Sequence, residues 1–206
     1  TMISFSNELA MIGESIPGVD IPKAFKIFHE DRRWYGAPAN MSSYAYPGAG
    51  YGGYCLPKDT QALISVSKEY GIDPVILKAN TKTNSKIIDF HLKNITKEIS
   101  IDFPIGILGL SFKPDSDDVR NSPSFELISK LIEYGYRKIY AYDPISNEIF
   151  KATYPNLNIN YFNTLSEIID FVDNVIISTA WNEFYRNITI YNNKNVFDLR
   201  YMLNEQ

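Results

Sequence analysis

The chain has 206 residues, of which 45% are hydrophobic and 21% are charged. This length corresponds to one large domain or two small ones, and the composition excludes a disordered or fibrous protein. Twenty basic residues against 24 acidic ones give a net charge of −4, and the sequence has no basic run that could bind a nucleic-acid backbone.

Neither membrane insertion nor metal binding is indicated. The longest central apolar run, residues 105–110, is far shorter than the ~20 residues that a helix needs to span a bilayer, and the N-terminus lacks the pattern of a signal peptide. We therefore expect a cytoplasmic protein that contacts no membrane. Cys55 is the single cysteine, and His29 and His91 have no second ligand at metal-binding spacing, so we expect no metal site and assign both histidines structural or surface roles.

The first hundred residues carry helical patterns that a loop interrupts. Apolar residues recur at helical spacing from Ile3, and Pro22 fits the first turn of a second helix. Residues 34–54 are rich in glycine, proline and tyrosine, which predicts a loop. A third helix is predicted from Leu56 to Tyr70.

A long helix follows. Asp73 is predicted to cap it and Pro74 to occupy its first position, and an apolar stripe then runs from Val75 to Ile99. Long helices with one apolar side are typical of domain junctions and dimer interfaces. We therefore expect a homodimer formed through residues 74–99.

After about Asp102 the hydrophobic period changes to that of buried strands. Four apolar runs predict strands at residues 105–110, 139–142, 175–178 and 195–198. Between them, Ser122 and the capping box of Thr164 and Glu167 predict helix starts. Strands that alternate with helices form parallel βαβ units. The predicted fold class is α/β, with a mainly helical region at residues 1–101 and a small α/β domain at residues 102–206.

Residues 48–53 satisfy the G-x-G-x-x-G pattern of dinucleotide-binding loops, but their context does not fit. No buried strand precedes them, and the segment Cys55-Leu-Pro, where the next helix only begins, follows them instead of a helix N-terminus. Asp143 follows a predicted strand, as the acid that binds a ribose does. The strand-to-helix turn that precedes this strand in the chain, residues 109–122, has no glycine-rich phosphate loop. We do not expect a complete NAD site in these residues.

Cys55 is the strongest candidate for chemistry. It lies just ahead of a helix that begins with proline, where unpaired N–H groups and the helix dipole favour a thiolate, and Lys58 follows within one turn. Asp59 projects from the same side and is placed to position or deprotonate water. The alternative is a small buried residue beside a surface Lys–Asp pair, because free cysteines are usually buried.

Polar segments follow two of the predicted strands. Lys113 and Arg120 lie after the first strand, and Arg200 lies after the last. Ligands bind at the carboxyl ends of parallel strands, so these cations are candidates for phosphate contacts. The alternative is a solvated loop with local ion pairs.

Three segments together resemble the UDP-glucose/GDP-mannose dehydrogenase family, the nucleotide-sugar 6-dehydrogenases. They are Gly-Tyr-Gly-Gly-Tyr-Cys55-Leu-Pro-Lys-Asp-Thr60, Phe112-Lys113 with Asp118-Val-Arg120-Asn-Ser-Pro, and Asp198-Leu-Arg200, in the family's order. The resemblance implies that residues 102–206 form a Rossmann-like three-layer αβα domain with a parallel sheet. It also implies that the family's N-terminal NAD-binding domain is absent from this chain, so we expect the chain alone to be inactive.

By this resemblance, the complete enzyme oxidises C6 of an NDP-hexose to a carboxylate in two NAD-dependent steps. Cys55 would attack the intermediate aldehyde to give a thiohemiacetal and then a thioester, which water positioned by Asp59 would hydrolyse. UDP-glucose is the first expectation, with UDP-N-acetylmannosamine and UDP-N-acetylglucosamine as alternatives. Two other functions are alternatives to the dehydrogenase. One is a non-catalytic nucleotide-sugar-binding or dimerisation module, and the other is a cysteine hydrolase.

The resemblance also assigns roles to single residues. Arg120 would reach toward NAD, and Arg33 would cross the dimer interface to the substrate. The remaining substrate contacts would be Tyr44, Tyr46, Tyr51, Gly52, Phe112, Lys113 and Arg200.

Overall fold

The computed structural model describes residues 1–14, 16–35 and 45–203. The first half of this described part is helical, with α1 at Met2–Glu14, α2 at Ile21–Phe28, a 3-10 turn at Arg32–Trp34, α3 at Cys55–Glu69 and α4 at Val75–Glu98. None of the described helices is both long and apolar enough to cross a membrane.

The second half alternates strands and helices. Its elements are β1 at Ile105–Leu108, α5 at Pro123–Glu133, β2 at Ile139–Tyr142, α6 at Asn147–Thr153, β3 at Asn160–Tyr161, α7 at Leu165–Phe171, β4 at Asn174–Ile177, α8 at Asn182–Arg186, a 3-10 turn at Ile188–Tyr191 and β5 at Asn195–Asp198. The α/β prediction is confirmed. The two-residue β3 and the short helices α6 and α8 were not predicted, because they are too short to show a hydrophobic period.

The strands form one parallel sheet in the order β3-β2-β1-β4-β5. The central strand β1 is completely buried, as expected for a parallel sheet that is covered on both faces. Apolar residues of α4, α5 and α6 cover one face of the sheet, and those of α7 and α8 cover the other. The result is a three-layer αβα arrangement whose strand order changes direction between β1 and β4.

The caps predicted from the sequence agree with the structure at two helices and disagree at one. Ser122 accepts a hydrogen bond from the N–H of Phe125 at α5, and Thr164 forms both halves of its capping box at α7. At α4 the prediction is wrong. Pro74 occupies the cap position and the Asp73 side chain makes no capping bond, since its carboxylate pairs with Lys78.

Helix α4 joins the helical half to the α/β half. Ile88, Leu92 and Ile95 are fully buried, in the same hydrophobic cluster as Ile105 of β1. The apolar stripe predicted for a dimer is therefore divided, because its C-terminal part packs inside the chain. At the N-terminal end of the helix, Ile76 remains 69% exposed.

His91 lies in the middle of α4 and is only 5% exposed. Burial lowers the pKa of its imidazole to about 4; a hydrogen bond to the backbone of Gly48 opposes this shift, and the charge of Arg200 adds to it. The side chain is therefore neutral in the folded chain, and its role is structural.

This shift predicts that acid destabilises the fold through His91. The unfolded chain binds a proton at His91 below about pH 6.5 and the folded chain does so only below about pH 4, so stability is lost as the pH falls through this range. By pH 5 the loss is about 2 kcal/mol. His91→Gln removes this loss, and urea unfolding at about pH 7 and pH 5 measures it. A His91→Gln variant that keeps the parent's pH dependence contradicts the prediction.

Candidate functional site

The thiol of Cys55 is exposed at the first residue of α3. Tyr54 occupies the cap position and makes no side-chain hydrogen bond to the helix end. The first amides of α3 therefore have no side-chain cap at this position. Burial, the alternative explanation for a free cysteine, does not apply to this residue.

Two charged side chains follow Cys55 within its first turn. The Lys58 ammonium lies 3.0 Å from a carboxylate oxygen of Asp59, and both side chains are more than half exposed. The hydrogen bond and charge of Asp59 raise the pKa of Lys58. The Asp59 carboxylate is open to water at the same end of the helix as the thiol.

The segment before Cys55, residues 48–53, is here called the glycine loop, and it packs directly on the β1–α5 loop, residues 109–122. The N–H of Gly53 donates to the carbonyl of Arg120 at 3.0 Å, and the Asn121 amide donates to the carbonyl of Gly53 at 3.3 Å. A Cβ at Gly52 would lie only 2.2 Å from the carbonyl oxygen of Asn121. Only glycine permits this approach, which places the Cys55 segment against the carboxyl end of β1.

The β1–α5 loop carries the aromatic and basic residues predicted for substrate and cofactor. The ring of Phe112 packs on Gly53, since a Cβ at Gly53 would lie only 3.1 Å from it. Lys113 is exposed, and its ammonium lies 5.6 Å from the centre of the Phe112 ring. The Arg120 guanidinium binds Asp118 through two bonds of 2.8 and 2.9 Å. This pairing lowers the pKa of the Asp118 carboxyl.

The ring of Tyr54 connects these two segments. The Lys58 ammonium lies 4.9 Å from the centre of the ring, and the central guanidinium carbon of Arg120 lies 4.7 Å from it. Both distances are within the range of cation–π contacts. The predicted cofactor residue Arg120 is thus held beside the thiol-bearing end of α3.

Arg200 reaches the glycine loop from the carboxyl end of β5. Its Nη1 would lie 2.7 Å from a Cβ at Gly48, and its Nε is buried without a hydrogen-bond partner among the described residues. Burial lowers the pKa of the guanidinium, and the charge of Asp198 opposes that shift. A buried, unpaired donor costs about 1–3 kcal/mol, so the position favours a ligand that supplies an acceptor.

The tyrosines predicted for the substrate have different surroundings. The Tyr46 hydroxyl donates to the carbonyl of Tyr201 at 3.3 Å, and its ring packs against Phe25. The Tyr51 hydroxyl accepts a hydrogen bond from Asn80 at 3.1 Å. Tyr44 lies outside the described residues, and only the backbone of Arg33 is described.

Three asparagines that the sequence analysis did not identify hold the glycine loop. The Asn7 side-chain oxygen accepts from the N–H of Gly48 at 2.7 Å, and Asn84 binds the main chain of Tyr51. Asn80 and Asn84 lie four residues apart in α4, where they interrupt an apolar stripe. This interruption of the apolar stripe is the sequence pattern that could have identified Asn80 and Asn84.

The described residues do not fit the phosphates of NAD. Asp143 is buried and accepts hydrogen bonds from the N–H groups of Leu110 and Ser111 at 2.7 and 3.2 Å, and from the indole of Trp181 at 3.1 Å. The first amides after β1 are thus bound to a carboxylate rather than open to a pyrophosphate. Asp143 has a structural role here and does not face a ribose, and the glycine loop is packed against α4 and Arg200.

Two sequence models of one family match the chain. The central domain of the UDP-glucose/GDP-mannose dehydrogenase family matches residues 1–86, and the UDP-binding domain of the same family matches residues 106–205. The chain belongs to this family. Its α/β half has the Rossmann-like fold of the solved family members.

Named relatives agree with this assignment. The chain is 36% identical to the UDP-glucose 6-dehydrogenase of Rickettsia bellii (strain RML369-C) over 187 residues, which cover 89% of this chain and 41% of that protein. It is 31% identical to a UDP-glucose 6-dehydrogenase of Haloferax volcanii, covering 88% of this chain and 40% of that one. The chain thus spans about two fifths of the length of these curated relatives.

A solved structure agrees along almost the whole chain. The UDP-glucose dehydrogenase of the hyperthermophilic archaeon Pyrobaculum islandicum superposes with a TM-score of 0.81 at 31% identity, covering 99% of this chain and 46% of that one. The helical half and the α/β half therefore both have counterparts in a member of the UDP-glucose/GDP-mannose dehydrogenase family.

Proposed function

We propose that this chain is the thiol-bearing and nucleotide-binding part of an NAD-dependent UDP-sugar 6-dehydrogenase that oxidises C6 of UDP-glucose to a carboxylate. In this proposal residues 102–206 bind the UDP moiety, and residues 1–101 carry the thiol and a dimer interface. One observation carries it: the glycine loop contacts Arg200 at Gly48, contacts the β1–α5 loop at Gly52, and leads directly to Cys55.

The diphosphate is bound by cations at the carboxyl ends of the parallel strands. Lys113 follows β1 and Arg200 follows β5, at the edge of the sheet where ligands of open α/β sheets bind. The guanidinium of Arg200 forms charge-assisted hydrogen bonds to phosphate oxygens and thereby gives its buried Nε an acceptor. Phe112, Tyr46, Tyr51 and Gly52 surround the sugar and nucleotide. Tyr44, which lies outside the described residues, and Arg33 of the partner subunit are the remaining residues that we propose for the substrate.

Cys55 retains the aldehyde that the first oxidation produces. Its thiolate adds to C6, a sulfur–carbon bond forms, and the carbonyl oxygen takes up a proton to give a thiohemiacetal. Oxidation of this adduct to a thioester would need a hydride acceptor. Bound NAD would supply that chemistry, and the described residues do not hold its phosphates. Asp59, open to water beside the thiol, orients the water whose attack releases the carboxylate and regenerates Cys55.

UDP-glucose is proposed because the named relatives are UDP-glucose 6-dehydrogenases. UDP-N-acetylmannosamine and UDP-N-acetylglucosamine are the alternative substrates of the same chemistry. Arg120 is the residue that we propose turns from Asp118 toward NAD, since its guanidinium is more than half exposed at the thiol-bearing end of α3.

The covalent role of Cys55 predicts that the C6 aldehyde of UDP-glucose protects the thiol from alkylation. Incubation of the chain with this aldehyde should slow the reaction of Cys55 with iodoacetamide at least tenfold, because the adduct consumes the thiolate. Mass spectrometry of the denatured protein measures the alkylated fraction. UDP-glucose, which has no aldehyde at C6, is the control ligand.

The same experiment separates covalent capture from simple occlusion. A Cys55→Ser chain should bind the aldehyde and UDP-glucose with similar affinity, whereas the parent should bind the aldehyde more tightly. Equal protection of the parent by both ligands rules out thiohemiacetal formation as the role of Cys55.

The proposed nucleotide site predicts that the chain binds UDP and that Arg200→Ala weakens this binding by about 1.5–3 kcal/mol, roughly 10- to 150-fold in Kd. Isothermal calorimetry measures the affinity. Arg186→Ala removes an exposed guanidinium on α8 and should leave the affinity unchanged. Unchanged affinity in Arg200→Ala removes Arg200 from the nucleotide site.

The proposed homodimer uses the N-terminal end of the predicted helix 74–99 together with the turn that connects α3 to α4. Tyr70, Ile72, Val75 and Ile76 are 63–80% exposed there. A stable interface buries about 800 Å² on each partner. Light scattering at high micromolar concentration should give a dimer for the parent and a monomer for Ile76→Lys, with Ile149→Lys on α6 as the control. A monomeric parent contradicts the interface.

A further inference from the structure

Asn84 of α4 binds both main-chain groups of a single residue in the glycine loop. Its side-chain oxygen accepts from the N–H of Tyr51 at 2.8 Å, and its side-chain nitrogen donates to the carbonyl of Tyr51 at 3.0 Å. Both distances are those of good hydrogen bonds. Two bonds from one planar amide leave the Tyr51 backbone a single orientation relative to α4.

The residue before Tyr51 shows how closely the loop lies on the helix. Gly50 has a φ of +98°, and a Cβ there would lie 2.9 Å from the Asn84 side-chain oxygen and 3.2 Å from Ile87. Glycine adopts this φ without steric cost. The loop therefore reaches Asn84 through a turn that few other residues adopt.

The Tyr51 side chain is fixed by the same helix. Asn80, one turn before Asn84, donates to the Tyr51 hydroxyl at 3.1 Å, and the hydroxyls of Thr60 and Thr81 lie beside it. Thr60 belongs to α3, the helix that begins with Cys55. The backbone and the ring of Tyr51 thus connect the glycine loop to both helices.

We propose that Asn84 is a positioning residue for the nucleotide-sugar site, a role that rests on the proposed function. By binding the Tyr51 backbone it holds Gly52 and Gly53 against the β1–α5 loop before the ligand arrives. A loop that is already ordered does not have to lose conformational freedom on binding, so affinity is higher.

Loss of both hydrogen bonds tests this role. Asn84→Leu should weaken binding of UDP-glucose by about tenfold, measured by isothermal calorimetry. Asn94→Leu makes the same change three turns further along α4, at a half-buried position away from the loop, and should bind like the parent. Urea unfolding of each variant shows whether the fold is intact.

Asn84→Asp gives a readout that a purely structural role does not produce. Its carboxylate still accepts from the Tyr51 N–H but repels the Tyr51 carbonyl, and protonation restores a donor to that carbonyl. The affinity of this variant for UDP-glucose, relative to the parent at each pH, should rise as the pH falls from about 7.5 to about 4, where an ordinary aspartate carboxyl is partly protonated.

The outcomes separate this inference from the proposed function. If the parent binds UDP-glucose and Asn84→Leu binds it equally well, the positioning role is wrong and the proposed function stands. If Asn84→Leu does not fold, the Asn84→Asp variant decides. A ratio of its UDP-glucose affinity to that of the parent that does not change with pH overturns the role. A parent chain that binds no UDP-glucose overturns the proposed nucleotide site, and the role of Asn84 with it.

Discussion

The candidate site depends on one backbone contact, the approach of Gly52 to the carbonyl of Asn121. A Cβ at Gly52 would lie 2.2 Å from that oxygen, and the oxygen belongs to backbone that cannot swing aside as a side chain can. The hydrogen bonds of Gly53 to Arg120 and Asn121 form only because the two loops are this close. Overpacking at such a point costs roughly 1–3 kcal/mol, and it would separate the thiol from the sheet edge where Lys113 and Arg200 lie. The glycine-rich sequence that resembles a phosphate loop is thus used to bring two segments of the chain together.

Helix α4 makes that contact possible, because it serves both the core and the site. Ile88, Leu92 and Ile95 pack into the hydrophobic cluster that also contains β1, and each fully buried side chain of this size contributes about 1.5–3 kcal/mol. The same helix presents Asn80 and Asn84 to the glycine loop. A displacement of α4 relative to the sheet would therefore move the loop as well. Packing energy in the hydrophobic core therefore determines where the loop lies.

Local signals predicted most of the fold and part of the site. The apolar runs of β1, β2, β4 and β5 and the capping box at Thr164 are contained within a few residues, and the structure has each of them. The position of Cys55 at a helix start was likewise visible from Pro57 and the preceding glycines. The bonds of Asn84 to Tyr51 and of Asp143 to Leu110 join residues 33 positions apart, so no local pattern shows them. Asp73 was misassigned as a cap because a nearby Lys78 competes for its carboxylate, which sequence rules for helix starts do not include.

The ion pairs of the structure show at which cation a bound anion would gain the most binding free energy. Lys58 is paired with Asp59 and Arg120 with Asp118, in each case with an exposed cation, and exposed pairs of this kind contribute little to stability. A ligand that takes Arg120 from Asp118 exchanges one charged partner for another. At Arg200 the Nε is buried and unpaired, so a phosphate oxygen there replaces no existing bond. Because hydrogen bonds to charged groups contribute more than neutral ones, the proposed function assigns Arg200 much of the affinity for the diphosphate. In the proposed function the glycine loop has the separate task of orienting the sugar toward Cys55, which depends on rigidity more than on charge.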